Sequence, residues 1–253
     1  MNLNHHYISI VSHGHEMFIK NNKELNNIAK RDDVTVVILD NLNSKSLSDI
    51  CNQNNFDYIS NNKKQGFGKN NNKIFQYCYL NHSMGSNDYF IIINPDIIID
   101  NQEFQKIVDF TKLHQPSLFS INLFLDKNFE KFDPNIRYFP SLLSYFNSFL
   151  FNIGYNYNKR KINEPINIDW ASASFLGFKS SFFQTLNGFD EKFYMYCEDI
   201  DICARANKLG KNVVYIPYIK ALHNVQQKNR NIFSKHFWWH LRSIIRYLSN
   251  KVF

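Results

Sequence analysis

The feature that most restricts this chain is an alternation of two hydrophobic periods along its first hundred residues. Short runs rich in β-branched and aromatic residues, Tyr7 to Val11, Val34 to Leu39, Tyr58 to Ser60 and Tyr89 to Ile93, read as strands. Between them, Glu16 to Ala29, Ser46 to Asn54 and Gly68 to Leu80 carry helical spacing. Strand and helix taking turns predict right-handed βαβ units, hence an α/β fold on a doubly wound, mostly parallel, Rossmann-like sheet. Further on, Leu118 to Phe124, Trp170 to Leu176 and Val213 to Ile216 read as strands, and the Phe- and Tyr-rich stretch Tyr138 to Tyr157 reads as helical.

Sheets of this kind bind ligands beyond the carboxyl ends of their strands. That rule selects four polar clusters, which should converge on one rim. They are Ser12-His13-Gly14, Asp40-Asn41, Asn94-Pro95-Asp96, and Gly66-Phe67-Gly68 with Asn70, Asn71 and Asn72.

With 253 residues, 44% of them hydrophobic, the chain can bury one sizeable core. No repeat or linker divides it, so the expected partition is a domain over 1–228 and a basic, aromatic helix over 229–253. None of Cys51, Cys78, Cys197 and Cys203 forms a C-x-x-C pair, which argues against a zinc site or a disulfide framework. No secretory signal is expected, and the apolar run Tyr89 to Ile99 is too short and too polar to cross a bilayer. Charge is uneven. After Asp201 ten residues are basic and none is acidic, leaving 19 basic against 22 acidic residues before it, a net −3 within an overall +7. The basic end suits phosphates or an anionic membrane.

Asn94-Pro95-Asp96 follows a buried strand and reads in two ways. It delivers a carboxylate that a hard divalent cation can share with a diphosphate, or it is an Asx-Pro turn that ends the strand. Gly66-Phe67-Gly68 lets helix-start amides approach an anion, or is an ordinary turn. Asp40 can bond a ribose or base, or cap its strand. Glu198, Asp199 and Asp201 sit in the first turn of a helix, where the dipole alone would favour them. Helical spacing separates their roles: Asp201 lies four residues before Arg205 and can form a surface pair, whereas Asp199 shares a face with Ile202, Cys203 and Ala206. A carboxylate on that inward face gains proton affinity and suits general-base work. His223 can reach the same rim as a metal or phosphate partner, or be structural. His13 and His15 read as structural.

Together these elements resemble glycosyltransferase family 2, the inverting GT-A enzymes, over nearly the whole chain. The resemblance rests on Ile8-Ser9-Ile10-Val11-Ser12, on Gly66-Phe67-Gly68-Lys69-Asn70-Asn71-Asn72, on Asn94-Pro95-Asp96, and above all on one ordered block. That block runs from Asp169-Trp170 through Gly188-Phe189-Asp190-Glu191, Tyr194-Met195-Tyr196 and Glu198-Asp199-Ile200-Asp201 to Gly210, Pro217 and His223. Within the family, Ser12-His13-Gly14-His15-Glu16, Met195 to Asp201, and Phe233-Ser234-Lys235 with Trp239-His240-Leu241 are similar to the bacterial O-antigen rhamnosyltransferases.

The resemblance implies dTDP-L-rhamnose as donor, a polyprenyl-diphosphate-linked saccharide as acceptor, and a divalent metal, Mg²⁺ or Mn²⁺. It implies Asp199 as the base, and Ser12, Asp40, Asn41, Gly66, Phe67, Asn71, Asn94, Asp96 and Trp170 around the donor. Asp96 and His223 are expected at the metal, and Tyr196, Glu198 and Arg230 as acceptor-side or secondary contacts. Ala171-Ser172-Ala173-Ser174 departs from the W-x-x-G segment of relatives, and the Ala173 methyl would narrow the sugar pocket. The expected location is the cytoplasmic face of the inner membrane.

From Phe233, the residues Phe237, Trp238, Leu241, Ile244, Ile245, Leu248 and Val252 follow helical spacing on an arc of roughly 140°. Lys235, Arg242 and Arg246 edge it. Such a helix suits an anionic bilayer or packing on the domain itself. Two other classes fit less well. A nucleotidyltransferase would carry a Gly-rich basic loop that Ser12 to Lys20 lacks. A nucleic-acid-binding module, which a pI of about 9.1 allows, would carry a recognisable binding motif beside its cations.

Overall fold

The structure is a computed structural model describing residues 4–140, 155–225, 238–239 and 242–247. Its strands are β1 (His6–Ser12), β2 (Val34–Asp40), β3 (Asp57–Ser60), β4 (Tyr89–Ile93), β5 (Ile97–Ile98), β6 (Leu118–Phe124), β7 (Ile136–Arg137), β8 (Ile166–Ile168), β9 (Trp170–Ala171), β10 (Phe175–Lys179) and β11 (Val213–His223). The main sheet has nine strands in the order β3-β2-β1-β4-β10-β6-β11-β5, with β8 also on β11. Strands β3, β2, β1 and β4 are mutually parallel, β10 runs antiparallel between β4 and β6, and β6 and β11 are parallel. β7 and β9 form a separate two-stranded sheet.

Period-two alternation divides the core. In β4, Phe90 and Ile92 enter one apolar cluster, while Tyr89, Ile91 and Ile93 enter the other. The helices α1 (Glu16–Asn21), α2 (Lys23–Ile28), α3 (Lys45–Gln53) and α5 (Asn101–His114) cover the second face. The first is covered by α4 (Phe67–Asn81), α6 (Ser180–Thr185) and α7 (Glu198–Lys208). A sheet covered on both faces explains why its strands are near-continuous apolar runs. All four cysteines are buried.

Several segments differ from their sequence reading. The stretch from Glu16 to Ala29 is two helices, because Asn22 caps α2 by accepting from the Leu25 amide at 3.1 Å and ties back to Ile97 O at 2.9 Å. The single strand expected over Trp170 to Leu176 breaks at Ser172-Ala173-Ser174, where Ser172 Oγ accepts from the Ser174 amide at 3.2 Å. β11 continues past Ile216 through a bulge, and Lys220 to Leu222 pair again with β6 beyond it.

At the ends of the stretch expected to be helical over Tyr138 to Tyr157 the backbone is extended: Arg137 bridges Asn156, and the Tyr138 amide donates to Tyr155 O at 3.1 Å. Residues 141–154 of that stretch lie outside the described residues. So do Arg230 and, from the C-terminal pattern, Phe233, Lys235, Phe237, Leu241, Leu248 and Val252. Residues 242–247 are helical, with Ser243 and Tyr247 buried and Trp238 and Ile245 exposed. Ser243 Oγ donates to Met195 O at 2.9 Å. No helix among the described residues is long and apolar enough to cross a membrane.

Candidate active site

Strand pairing assembles the first acidic centre. β5 follows Asp96 directly and pairs antiparallel with the end of β11, which sets His223 opposite Ile97. The Asn224 amide closes the corner on Asp96 O at 2.9 Å. Asp96 Oδ1 then lies 3.4 Å from His223 Nε2, and His223 Nδ1 lies 2.6 Å from Asp133 Oδ2. Burial lowers the proton affinity of His223, but its bonds to Asp133 and Asp96 outweigh this and push its pKa up to about 9.

These residues fit a divalent cation. Asp96 offers a hard carboxylate, His223 an imidazole nitrogen, and Asp133 a carboxylate on the other ring nitrogen that fixes the tautomer. A cation would displace the proton from Nε2. Among the described residues no three such side chains converge as a closed set of ligands. Two protein ligands leave room for phosphate oxygens, as Mg²⁺ and Mn²⁺ sites on diphosphates require.

The second centre is the start of α7. Tyr196 and Cys197 both have positive φ, 71° and 63°, so the chain reverses sharply before the helix begins. Glu198 is buried with Oε2 lacking a hydrogen-bond partner, and burial together with Asp199 raises its pKa to about 8. Asp199 is partly buried, and desolvation raises its proton affinity against the bonds it accepts from the amides of Ile200 (2.9 Å) and Ala173 (3.4 Å) and the pull of Arg137. Asp201 does meet Arg205, at 2.8 Å, but this is not a surface pair. Asp201 is buried, and Arg205 also donates to Leu186 O at 2.5 Å and Gly188 O at 2.9 Å, bolting α7 to the turn before it.

One turn joins the two centres. Ser174 O accepts from the Asn94 amide at 2.9 Å, and the neighbouring Ala173 amide points to Asp199. The segment that departs from the W-x-x-G pattern is therefore the joint between Asn94-Pro95-Asp96 and the α7 carboxylates.

Other expected donor residues are hydrogen-bonded within the surrounding framework. Asp40 is fully buried, and its carboxylate accepts from the amides of Leu42 and Ser44 and from Tyr58 Oη. Asn41 spends its amide on Gln65 and Asn61, and the buried Asn71 spends its own on Ser9 Oγ at 2.7 Å and Phe67 O at 3.0 Å. Trp170 is buried and donates Nε1–H to Tyr138 O at 2.9 Å. The Phe67 amide is taken by Tyr194 O, and a Cβ on Gly66 would come within 2.4 Å of that same oxygen. Here glycine serves close loop packing. Ser12 is buried at the end of β1, where its Oγ accepts from the His15 amide at 3.2 Å. A cleft of about 930 Å³ between α4, the 186–191 turn and α7 is lined in part by Asp201 and Arg205 but by neither Asp199 nor Asp96.

Sequence reasoning missed Asp133, Arg137 and Lys159. Each sits in or near an irregular stretch with no motif, and only the pairing of β11 with β6 brings Asp133 to His223.

A mostly parallel sheet with an antiparallel β10, carrying acidic centres on the rim loops, defines a GT-A glycosyltransferase. The fold likeness is direct: GalNAc-T7 solved with UDP, GalNAc and Mn²⁺ superposes with a TM-score of 0.67 at 12% identity, over 97% of this chain and 47% of that one. The chain thus spans about half the length of that structure. No family model matches. Rhamnosyltransferase WbbL of Escherichia coli strain K12 is 37% identical over 252 residues, 97% of this chain and 93% of WbbL. The N-acetylglucosaminyl-diphospho-decaprenol L-rhamnosyltransferase of Mycobacterium tuberculosis is 32% identical over 84 residues, 33% of this chain and 27% of that one. The chain belongs to the rhamnosyltransferases of glycosyltransferase family 2, and it is an enzyme.

Proposed function

We propose that this enzyme transfers L-rhamnose from dTDP-L-rhamnose, with inversion, onto a polyprenyl-diphosphate-linked saccharide of a surface polysaccharide such as O-antigen. The observation that carries the reading is the 37% identity to WbbL along almost the whole of both chains. The name of the mycobacterial relative specifies a diphospho-decaprenol acceptor, and the basic C-terminal end suits such a carrier.

Asp199 is the base. Its raised proton affinity, set by partial burial, matches a group that takes the proton of the acceptor hydroxyl as that oxygen attacks the anomeric carbon. The new C–O bond forms as the bond to the donor phosphate breaks, and the electron pair leaves with the nucleoside diphosphate. Burial and the neighbouring Asp199 raise the proton affinity of Glu198 beside the base. Asp96 and His223 would hold a divalent cation, Mg²⁺ or Mn²⁺, which when bound neutralises charge on the departing diphosphate. Asp133 keeps the His223 ring turned toward Asp96. Asn94, through Ser174 O, keeps the donor-side turn in register with Asp199. Exposed Trp238 and Ile245, with Arg242 on the same stretch, suit the anionic cytoplasmic face of the inner membrane.

The test is a panel of nucleotide sugars assayed with a lipid-linked acceptor mimic, with and without Mn²⁺. The expected result is metal-dependent turnover of dTDP-L-rhamnose, loss of about 10²–10⁴-fold in kcat for Asp199→Asn with donor binding kept, and weakened donor binding for Asp96→Ala. Turnover of a different nucleotide sugar in its place would overturn the donor. Near-wild-type turnover by Asp199→Asn would overturn the base. Sedimentation with anionic vesicles, comparing the full chain with one ending at Arg230, tests the membrane contact; equal binding would remove it.

A further inference from the structure

Lys159 is a cation that neither donor nor acceptor chemistry calls for. It opens a single 3₁₀ turn, Lys159–Lys161, and is 7% exposed. A buried ammonium is costly unless hydrogen bonds compensate it. Three oxygens do so: Asn135 Oδ1, Asn122 Oδ1 at 3.2 Å and Leu123 O at 3.3 Å. The Phe132 and Tyr215 rings lie 6.0 and 5.7 Å from its Nζ.

What those oxygens are attached to gives the residue its meaning. Leu123 O also accepts from the Asp133 amide at 3.0 Å, so Lys159 and the backbone of Asp133 share one carbonyl. Asn135 lies two residues beyond Asp133, and its Nδ2 donates to Ile121 O at 3.2 Å, holding that loop against β6. Asn122 Nδ2 donates to Pro217 O at 3.1 Å, inside the bulge that separates Ile216 from Lys220. Beyond that bulge β11 resumes pairing with β6 and runs four residues to His223. One ammonium therefore grips both the segment that carries Asp133 and the irregularity that sets the phase of the strand delivering His223.

We propose that Lys159 is a positioning residue for the Asp96–His223 cation site, fixing Asp133 through Asn135 and Leu123 and fixing the His223 strand through Asn122. This rests on the reading of Asp96 and His223 as holders of a divalent cation. Partners outside the ligand set orient ligands, and their loss typically weakens metal binding by about 10–100-fold. Burial, opposed by Asp133, lowers the pKa of Lys159 to about 7.

The experiment titrates Mn²⁺ into the full chain with dTDP present, following free Mn²⁺ by electron paramagnetic resonance, with melting temperature and donor kinetics measured alongside. Lys159→Met should lose about 10-fold in Mn²⁺ affinity and raise donor KM more than it lowers kcat. Combined with Asp133→Asn, it should lose less than the two single losses multiplied together, because both act through one path. Unchanged Mn²⁺ affinity in Lys159→Met, whatever its melting temperature, overturns the proposal, and so do multiplicative losses in the double variant. If Lys159→Met does not fold, Asn135→Ala takes its place with the same expected loss. A wild-type chain that binds no Mn²⁺ overturns the Asp96–His223 reading itself, and the proposal with it.

Discussion

His223 Nδ1 lies 2.6 Å from Asp133 Oδ2, while the other ring nitrogen faces Asp96 at 3.4 Å. The imidazole is thus strung between two carboxylates from different loops, and the closer contact, to Asp133, decides its orientation. Asp133→Asn keeps the shape but surrenders the charge that fixes the ring. Mn²⁺ affinity should fall by about 10–100-fold while the melting temperature moves little, as read by Mn²⁺ titration and thermal unfolding. Equal Mn²⁺ affinity in the variant would show that the dyad is only structural.

Glu198 gives the fold a pH dependence. Its pKa rises from 4.5 to about 8 on folding, first through burial and then through Asp199. The folded state therefore binds the proton more tightly than the unfolded chain. The associated stability is fully present below about 4.5 and is lost as pH rises through about 8. Glu198→Gln mimics the protonated form at every pH. Its melting temperature should match wild type near pH 4 and exceed it near pH 8.5, at about 2–4 °C for each kcal/mol of removed penalty. A constant difference across that range would refute the shift. Because the two carboxyls titrate as a pair, the variant should also alter the acid limb of the kcat profile assigned to Asp199.

The parallel half of the fold is legible because β1, β2 and β4 are mostly apolar runs closed by polar clusters. β5, β7 and β8 are not, since two or three residues carry no period. The strand expected over Trp170 to Leu176 breaks because Ser172 Oγ accepts locally from the Ser174 amide, which composition does not reveal. At the site, Asp96 and Asp199 followed from the strand-end rule and helical spacing. Asp133 did not, because tertiary pairing alone brings it to His223, and neither did Lys159, which tertiary pairing alone brings to Asn122, Leu123 and Asn135. Asp40, Asn41 and Asn71 read as ligand contacts because polar residues at strand ends either face the ligand or hold the loops that do. Here their hydrogen bonds are spent on the loops.

Gly66 offers a direct measure of that framework. Its Cβ would stand 2.4 Å from Tyr194 O, in the loop that leads to Glu198 and Asp199. The obstacle is backbone, so Gly66→Ala must shift either α4 or the loop. Overpacking of this kind typically costs about 1–3 kcal/mol. The melting temperature should fall and kcat should fall with it, as read by calorimetry and turnover at saturating donor. A variant with wild-type stability would show that the loop yields freely.

Trp170 separates a framework role from a donor role most sharply. Its indole is buried, its Nε1–H is committed to Tyr138 O at 2.9 Å, and the Arg137 guanidinium lies 5.5 Å from its ring. Phenylalanine keeps a ring beneath Arg137 but abandons the hydrogen bond, leaving the Tyr138 carbonyl without that donor. A net hydrogen bond is worth about 0.5–1.5 kcal/mol, and a smaller ring adds a packing loss. Trp170→Phe should therefore lower the melting temperature by several degrees while donor KM stays within about twofold of wild type. A donor contact would give the opposite pair of results, a raised KM at unchanged stability. Because Trp170 begins the short strand that leads to Ala173 and so to Asp199, any activity lost in this variant should appear in kcat.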